Sequence, residues 1–125
     1  MKLFFLAIAC FSIFSCIKPS HESSLLTVPY HECARADGGG NRPLLCYESL
    51  NDFRCPANAI CIWAGDAVAR FRFTAHTQHE VTLSISGQMG ISNDTTVEGH
   101  YLRLVELRPF PGTGAADTVA VVEVR

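Results

Sequence analysis

The stretch that decides the fold is AVARFRFTA at residues 67–75, followed after a short polar break by HEVTLSIS at residues 79–86. In both segments, apolar side chains alternate with polar or charged ones, which is the period of a strand with one buried face. The two segments therefore predict a β-hairpin with a turn at residues 76–78. Its inward side chains are Ala67, Ala69, Phe71, Phe73, Ala75, Val81, Leu83 and Ile85.

Burial also constrains the register of this hairpin. A slip of one residue would turn the alternating arginines of the first strand into the core, so the pairing must keep apolar residues opposite one another. The numbers of two paired residues must therefore sum to an even value, as they do when Phe73 lies opposite Val81 and Phe71 opposite Leu83.

Further short strands follow toward the C-terminus. Residues 95–97 form one candidate, and the apolar phase of the next shifts before Leu107, which indicates a β-bulge at residues 105–106. Residues 118–124 form the last strand, whose inner face is Ala120, Val122 and Val124. Short strands separated by turn residues predict an all-β fold, an antiparallel β-sandwich or small barrel stapled by disulfides.

Four cysteines accompany these strands: Cys33, Cys46, Cys55 and Cys61. In an exported chain an even number predicts two disulfides, with three alternative connectivities. We expect the nearest-neighbour pairs 33–46 and 55–61, because Pro56 and Asn58 favour a tight loop, while the crossed pairings stay open. A four-thiolate zinc site is the competing interpretation, but such sites use shorter paired spacings than those found here.

The N-terminus predicts export. Residues 1–15 combine a charged start with a short apolar run, and Ile13-Phe14-Ser15-Cys16 resembles a bacterial lipobox. In that chemistry the Cys16 thiol receives a diacylglycerol, and cleavage before it frees an amine for acylation. The alternatives are a lipobox ending at Cys10, after a very short apolar run, and an ordinary secretory signal.

The chain therefore divides into three predicted parts: residues 1–15 as the signal peptide, 16–29 as the acylated cysteine and a tether, and 30–125 as a single β domain. The tether assignment follows from the polar sequence KPSHESSLLTVP, which contains two prolines. No acidic residue directly follows Cys16, and by resemblance to lipoprotein sorting rules this favours the outer membrane, on its periplasmic or cell-surface side.

A motif with a family resemblance lies between the cysteines and the hairpin. Residues 52–68 read DFRCPANAICIWAGDAV, which resembles the R-C-P-x4-C-x-W-A-G-x-A motif of a family of small uncharacterised lipoproteins from Bacteroidota and related bacteria. The later stretch LRLVELRPFP at residues 102–111 is similar to a strand of the same family, so the resemblance covers roughly residues 45–125. It implies a small lipoprotein and brings no catalytic activity with it.

The motif residues have a physical interpretation of their own: Arg54, Pro56, Trp63, Gly65 and Asp66. Trp63 follows Cys61 by two residues, so in a strand both side chains share a face, and we expect the indole to pack on the disulfide in the core. Gly65 permits a tight turn, and Arg54 is expected to pair with Asp66. The alternative is that the stapled loop at residues 56–60 projects as a rigid recognition element.

Few residues point to catalysis or to a metal. His76-x-x-His79-Glu80 matches no zinc-protease spacing and falls in the predicted hairpin turn. A two-histidine metal site at His76 and His79 remains a minor alternative, which His31, Glu32 or His100 would have to complete. No nucleophile elbow or phosphate loop is found, so we expect no enzyme and no cofactor.

The net charge and two short motifs indicate which binding partners and modifications to expect. The formal net charge is −2 and the arginines are scattered singly, so we expect no nucleic-acid partner. Thr95 and Thr118 each follow an aspartate, which resembles the glycosylation tripeptide of exported Bacteroidota proteins, although ordinary loop and strand-start residues match it equally well.

Taken together, the sequence predicts a lipid-anchored binding or structural module of the cell envelope without catalytic activity. Its partners would be the membrane, through the anchor, and an unknown protein or glycan. The alternatives are an inhibitor of a protease or other enzyme that presents the loop at residues 55–61, and a periplasmic metal-binding protein.

Overall fold

The computed structural model describes residues 23–36, 42–112 and 117–125. The predicted signal peptide, the lipidation site Cys16 and residues 16–22 of the predicted tether lie outside these ranges. Within them the chain forms eight β-strands and no α-helix, and no helix able to cross a membrane is found there. The strands are β1 (Ser24–Pro29), β2 (Cys33–Arg35), β3 (Leu44–Asp52), β4 (Ala67–Thr74), β5 (Gln78–Ser84), β6 (Asp94–Val97), β7 (His100–Arg108) and β8 (Val119–Val124).

The strands form two four-stranded sheets. One has the order β1-β8-β7-β6 and the other the order β2-β3-β4-β5, and all neighbouring strands are antiparallel. The prediction of an all-β antiparallel fold is confirmed. Of the two predicted variants the sandwich is the one formed, because the two sheets stay separate instead of closing into a barrel.

One hydrophobic core lies between the sheets, and it combines the inner faces that the sequence predicts with residues of β1 and β3 such as Val28 and Leu45, for which no strand was predicted. The predicted inward residues of β4, β5 and β8 are buried, and Ala75 and Ile85 pack against the core at its margin. Tyr47 of β3 stacks on Phe71 with 5.2 Å between the ring centroids. The predicted bulge is also confirmed, since the register between β7 and β8 shifts between Leu104 and Glu106.

The hairpin of β4 and β5 is confirmed, and so is the predicted parity of its register, although the pairing is shifted by two residues from the example of Phe73 opposite Val81. Phe71 pairs with Val81 and Phe73 with His79, and the turn lies at residues 75–77. Both registers bury the same faces, so alternation cannot choose between them. In the register that forms, the turn contacts the other sheet, where the Glu98 carboxylate accepts hydrogen bonds from it.

The predicted tether extends too far along the chain. Ser24–Pro29 is strand β1, paired with β8 over its whole length, and its inner residues Leu26 and Val28 are buried. The two prolines suggested a linker, but Pro29 stands at the end of an edge strand, where no hydrogen bond to a neighbour is lost. The domain therefore begins at least six residues earlier than the predicted boundary at residue 30.

The first disulfide joins the two strands at one edge of a sheet. Cys33 of β2 lies directly opposite Cys46 of β3, with 3.9 Å between their Cα atoms. The predicted pairing of Cys33 with Cys46 is confirmed, and so is the pairing of Cys55 with Cys61. The first bond fastens the short strand β2 to the centre of its sheet.

Candidate functional site

The second disulfide closes a loop that connects β3 to β4 at one end of the sandwich. The Cα atoms of Cys55 and Cys61 are 5.9 Å apart, and the residues between them lie on the surface. We call residues 55–63 the stapled tip. The tip itself has no strand or helix, so its shape depends on the staple and on the contacts of its base.

Arg54 fixes the base of the stapled tip. Its guanidinium is buried and donates to both carboxylate oxygens of Asp52, at 2.9 and 2.6 Å. It also donates to the carbonyl oxygens of Leu107 at 2.7 Å and Pro109 at 3.0 Å, and it lies 4.5 Å from the centre of the Phe110 ring. One side chain thus binds the tip to the end of β7 in the opposite sheet.

The tip also rests on the turn that follows β7. The amide of Ala57 donates to the carbonyl of Pro111 at 2.8 Å. Gly112 lies against the tip so closely that an added Cβ would come within 2.5 Å of Asn58 Oδ1 and 3.0 Å of Pro56 Cβ. The staple, Arg54 and this turn together hold the tip on the body of the domain.

Gly65 lies where the chain returns toward β4. Its φ is 75°, and a Cβ added there would fall on the carbonyl oxygen of Phe53 and 2.9 Å from Cα of Arg54. The amide of Phe53 donates to the carbonyl of Asp66 at 2.7 Å, so the two arms of the connection touch at this point. The position needs glycine both for its backbone angle and for the space, in agreement with its predicted role.

Asp66 does not pair with Arg54, so that prediction is wrong. Its carboxylate is buried and accepts hydrogen bonds from Ser84 Oγ at 2.9 Å, the Ser86 amide at 3.0 Å and its neighbour Ala67's amide at 2.8 Å. Burial raises the pKa of Asp66, but these hydrogen bonds outweigh it and leave the pKa below its ordinary value. Asp66 fixes the start of β4 to the loop after β5, while Arg54 finds a nearer carboxylate in Asp52.

Trp63 is not a core residue, and the prediction that it packs in the core is wrong. Its side chain is 54% exposed, and Ile60 and Ile62 on either side of Cys61 are fully exposed. Cys61 and Trp63 would share a face only in a strand, and these residues form none, so alternation does not apply. Aromatic and aliphatic residues of the strands fill the core without the indole.

The stapled tip is therefore an apolar surface. Phe53 and Phe110 beside it are also more than half exposed, and no side chain from residue 55 to residue 65 carries a charge. The signal in the sequence was this uncharged run of eleven residues, which contains Ile60, Ile62 and Trp63. The alternative prediction, a projecting recognition element, agrees with the exposure of these residues.

The two candidate metal ligands lie at the opposite end of the sandwich. His79 Nε2 is 2.8 Å from Thr77 Oγ1 and 3.3 Å from a carboxylate oxygen of Glu98. The hydroxyl of Thr77 and the amide of His76 donate to Glu98 and hold its pKa at about 2. Glu98 was not singled out as the partner of this turn, and only the packing of the sheets brings it there.

No metal site emerges from this cluster or elsewhere in the described ranges, since no group of three or more His, Cys, Asp or Glu is placed to hold an ion. Of the residues proposed to complete such a site, His31 has its ring 3.9 Å from that of Tyr30. His100 follows Glu98 by two residues, and its ring is 5.6 Å from that of Phe73, the strand partner of His79.

The two candidate glycosylation residues have different surroundings. Thr95 lies in β6, opposite Leu102, and is partly buried. Thr118 directly precedes β8, and its carbonyl accepts a hydrogen bond from the Tyr30 amide at 2.8 Å. Their modification stays a prediction.

A surface groove of about 530 Å³ lies beside Thr118, lined by Pro29, Tyr30, Glu32, Asp117, Thr118 and Val119. A buried tyrosine, Tyr47, packs edge-on against Tyr30 with 5.1 Å between the ring centroids. Its hydroxyl has no hydrogen-bond partner among the residues that the structure describes, and burial raises its pKa well above the ordinary value. The groove carries two carboxylates and one aromatic ring on an open surface.

Comparisons with protein-family models, with curated proteins and with solved structures found no match for this chain. The resemblance of residues 52–68 to a lipoprotein family of Bacteroidota therefore stays a prediction, and the site is interpreted from its own geometry.

Proposed function

We propose that this chain is an exported, lipid-anchored protein of the cell envelope that acts as a binding module without catalytic activity. The observation that carries the proposal is the stapled tip, which exposes Ile60, Ile62 and Trp63 on a rigid base. The two disulfides are compatible with an oxidising compartment outside the cytoplasm. Lipid attachment at Cys16 to the outer membrane, on its periplasmic or surface side, rests on the lipobox resemblance.

The stapled tip has the properties of a binding surface. An exposed apolar patch that is held in one shape marks an interaction site more often than a structural feature. Rigidity lowers the conformational entropy lost on binding, and the Cys55–Cys61 bond and the Arg54 contacts supply that rigidity. A large aromatic residue beside two aliphatic ones is the composition of the anchor residues that dominate protein interfaces.

A non-catalytic role is supported by the uses of the polar groups. The carboxylates of Asp52, Asp66 and Glu98 each accept hydrogen bonds from groups that hold the fold together. The four domain cysteines are consumed in disulfides. On the outer face of the second sheet, Arg70 and Arg72 lie beside glutamates, at 3.4 and 3.1 Å, which leaves this face unsuited to a run of phosphates.

The experiment for the anchor uses metabolic labelling with a palmitate analogue in the native host. Wild type should carry the label and Cys16→Ser should not. A labelled Cys16→Ser variant, or an unlabelled wild type, would contradict lipid attachment at this residue.

The experiment for binding uses the purified mature domain and isolated envelopes of the native host. Retention should be saturable, lost on Ile60→Ser with Ile62→Ser, and kept in Thr82→Ala, a matched change on the exposed face of β5. Equal retention of all three proteins would count against the stapled tip as the binding surface.

The second candidate function is inhibition of a protease or another enzyme by the same loop. The observation in its favour is that Ala57, Asn58 and Ala59 are exposed inside a closed loop, a backbone segment able to enter a cleft. An inhibition screen against envelope and secreted proteases, with the intact domain and with Cys55→Ser/Cys61→Ser, separates the two functions. No observation favours the metal-binding alternative.

A further inference from the structure

We infer that the stapled tip faces away from the membrane that holds the anchor, and that it docks into an uncharged apolar pocket of another protein in that space. The inference rests on the proposed function, because the orientation is set by a lipid at Cys16. Beyond the proposed function, the inference specifies the direction in which the stapled tip points and the kind of partner that it binds.

The strand register places the two ends of the domain. Ser24 lies level with Val124 and Leu102, so the chain from the anchor joins the domain at this end. Pro29 lies level with Val119 and Arg108 at the other end. The stapled tip is bonded beyond that end, through Leu107, Pro109 and Pro111.

Chain length then limits where the tip can go. From the level of Ser24 to that of Pro29, strand β1 advances five residues, about 17 Å at the usual rise. The connection from Cys16 to Ser24 spans eight residues, at most about 29 Å when fully extended. A tip that touched the anchoring bilayer head-on would use about 17 Å of that reach before its own height is counted, and stretching a chain to its limit is entropically costly.

A second copy of the chain is also a poor occupant. Two domains meeting tip to tip would place their anchored ends at least about 34 Å apart, at opposite ends of the pair. Two lipids in one leaflet satisfy that arrangement only if the pair lies flat along the membrane. A different protein, located on the side of the domain away from the anchor, meets the tip without that restriction.

The chemistry of the tip specifies the pocket. Residues 55–65 carry no charge, so a charged group in the pocket would lose its water without gaining a partner. Ile60 and Ile62 are fully exposed, and Trp63 stands beside them with an indole that prefers an apolar surface and one hydrogen-bond acceptor. The complementary surface is therefore an uncharged apolar pocket.

The orientation is tested with Trp63, the only tryptophan of the chain. Lipidated full-length protein is reconstituted into vesicles of phosphatidylethanolamine and phosphatidylglycerol that contain a phosphatidylcholine brominated in its acyl chains. Trp63 emission should be unaffected by the brominated lipid and quenched by acrylamide as strongly as in soluble Cys16→Ser. Quenching by the brominated lipid would overturn the inference.

The partner is tested by a photoreactive amino acid at position 60 in the native host, with position 82 on the face of β5 as the matched control. We expect an adduct with one other protein from position 60 alone. That protein, once purified, should bind wild type at least about tenfold more tightly than Ile60→Ser, with little dependence on salt.

Several results would overturn the inference: adducts only with a second copy or with lipid, equal adducts from positions 60 and 82, or binding that weakens steeply with salt. The proposed function fails separately. Absence of the palmitate label on wild type removes the anchor, whereas a labelled protein whose Trp63 is quenched by brominated lipid keeps the anchor and loses only the orientation.

Discussion

The guanidinium of Arg54 donates a 2.7 Å hydrogen bond to the carbonyl of Leu107, a residue 53 positions later in the chain. Arg54 begins the connection that carries the stapled tip in one sheet, and Leu107 stands near the end of β7 in the other. The same guanidinium holds both oxygens of Asp52. The rigidity of the candidate binding surface therefore depends on a contact between the two layers of the sandwich.

Arg54→Ala should lower the free energy of unfolding by about 3 kcal/mol, because it leaves the Leu107 carbonyl and the Asp52 carboxylate without their buried donor. Arg54→Lys should recover only part of the loss, since an ammonium cannot reproduce the forked geometry. Urea unfolding with an unchanged m-value measures both. The control is Arg70→Ala, whose exposed ion pair with Glu80 should change stability by less than about 1 kcal/mol; equal losses would contradict the assignment.

Gly65→Ala should destabilise the domain by more than about 2 kcal/mol, because its Cβ would overlap the Phe53 carbonyl and its φ is positive. Gly90→Ala separates the two effects, since Gly90 has a φ of 73° but no atom within 4 Å of an added Cβ. That control should cost about 1 kcal/mol. Similar losses in thermal unfolding of the two variants would show that the close approach at Gly65 is unimportant.

The two disulfides should contribute differently to stability and to binding. Cys33→Ser/Cys46→Ser opens a sequence separation of 13 and should cost about 3 kcal/mol, against about 2 kcal/mol for Cys55→Ser/Cys61→Ser, with a separation of 6. Retention of the domain on isolated envelopes should be reduced more by Cys55→Ser/Cys61→Ser than by Cys33→Ser/Cys46→Ser, because only the 55–61 disulfide shapes the stapled tip. The idea fails if retention is lost in proportion to stability in both variants.

Glu98 should make the stability of the folded domain depend on pH in the acidic range. Its pKa in the folded state is about 2, below the ordinary 4.5, because of hydrogen bonds from the Thr77 hydroxyl and the His76 amide. The unfolded chain binds the proton first, so this contribution is fully present above about pH 5 and is lost as the pH falls toward 2. The melting temperature of Glu98→Gln should be lower than that of wild type near neutral pH, and the difference should shrink with acid. A constant difference from pH 6 to pH 2 would exclude this role.

Ile60→Ser and Ile62→Ser should change the free energy of unfolding by less than about 0.5 kcal/mol, because both side chains are fully exposed in the folded domain. Leu102→Ala, at a fully buried position of β7, should cost about 2–5 kcal/mol in the same urea titration. A marked loss of stability in the isoleucine variants would mean that these residues pack on the domain and would weaken the case for a binding surface.

Alternation in the sequence was sufficient for β4, β5 and β8, whereas β2 and β3, which are also neighbours both in the chain and in the sheet, were not predicted. The inner faces of β4, β5 and β8 follow from a period of two, and the shift in phase before Leu107 predicts the bulge, because these are local consequences of strand geometry. The number of cysteines predicted two disulfides, and the structure decided among the three connectivities in favour of the nearest-neighbour pairs. The tether assignment gave too much weight to two prolines and too little to the alternating Leu26 and Val28 of β1.

What the tertiary structure decided concerns partners distant in the chain. In the sequence, Asp52 and Asp66 are both close enough to Arg54 to pair with it. Only the packing of the sheets decides that Arg54 binds Asp52 and the carbonyls of β7, and that Asp66 binds Ser84. Likewise, alternation fixed the parity of the hairpin register but not its value, and the turn of the register that forms is bound by Glu98 from the other sheet. Trp63 was placed in the core by a local argument, and its true exposure depends on whether a strand forms there and on how the other residues fill the core. Periodicity is a property of a single segment, whereas burial and pairing depend on which segments meet.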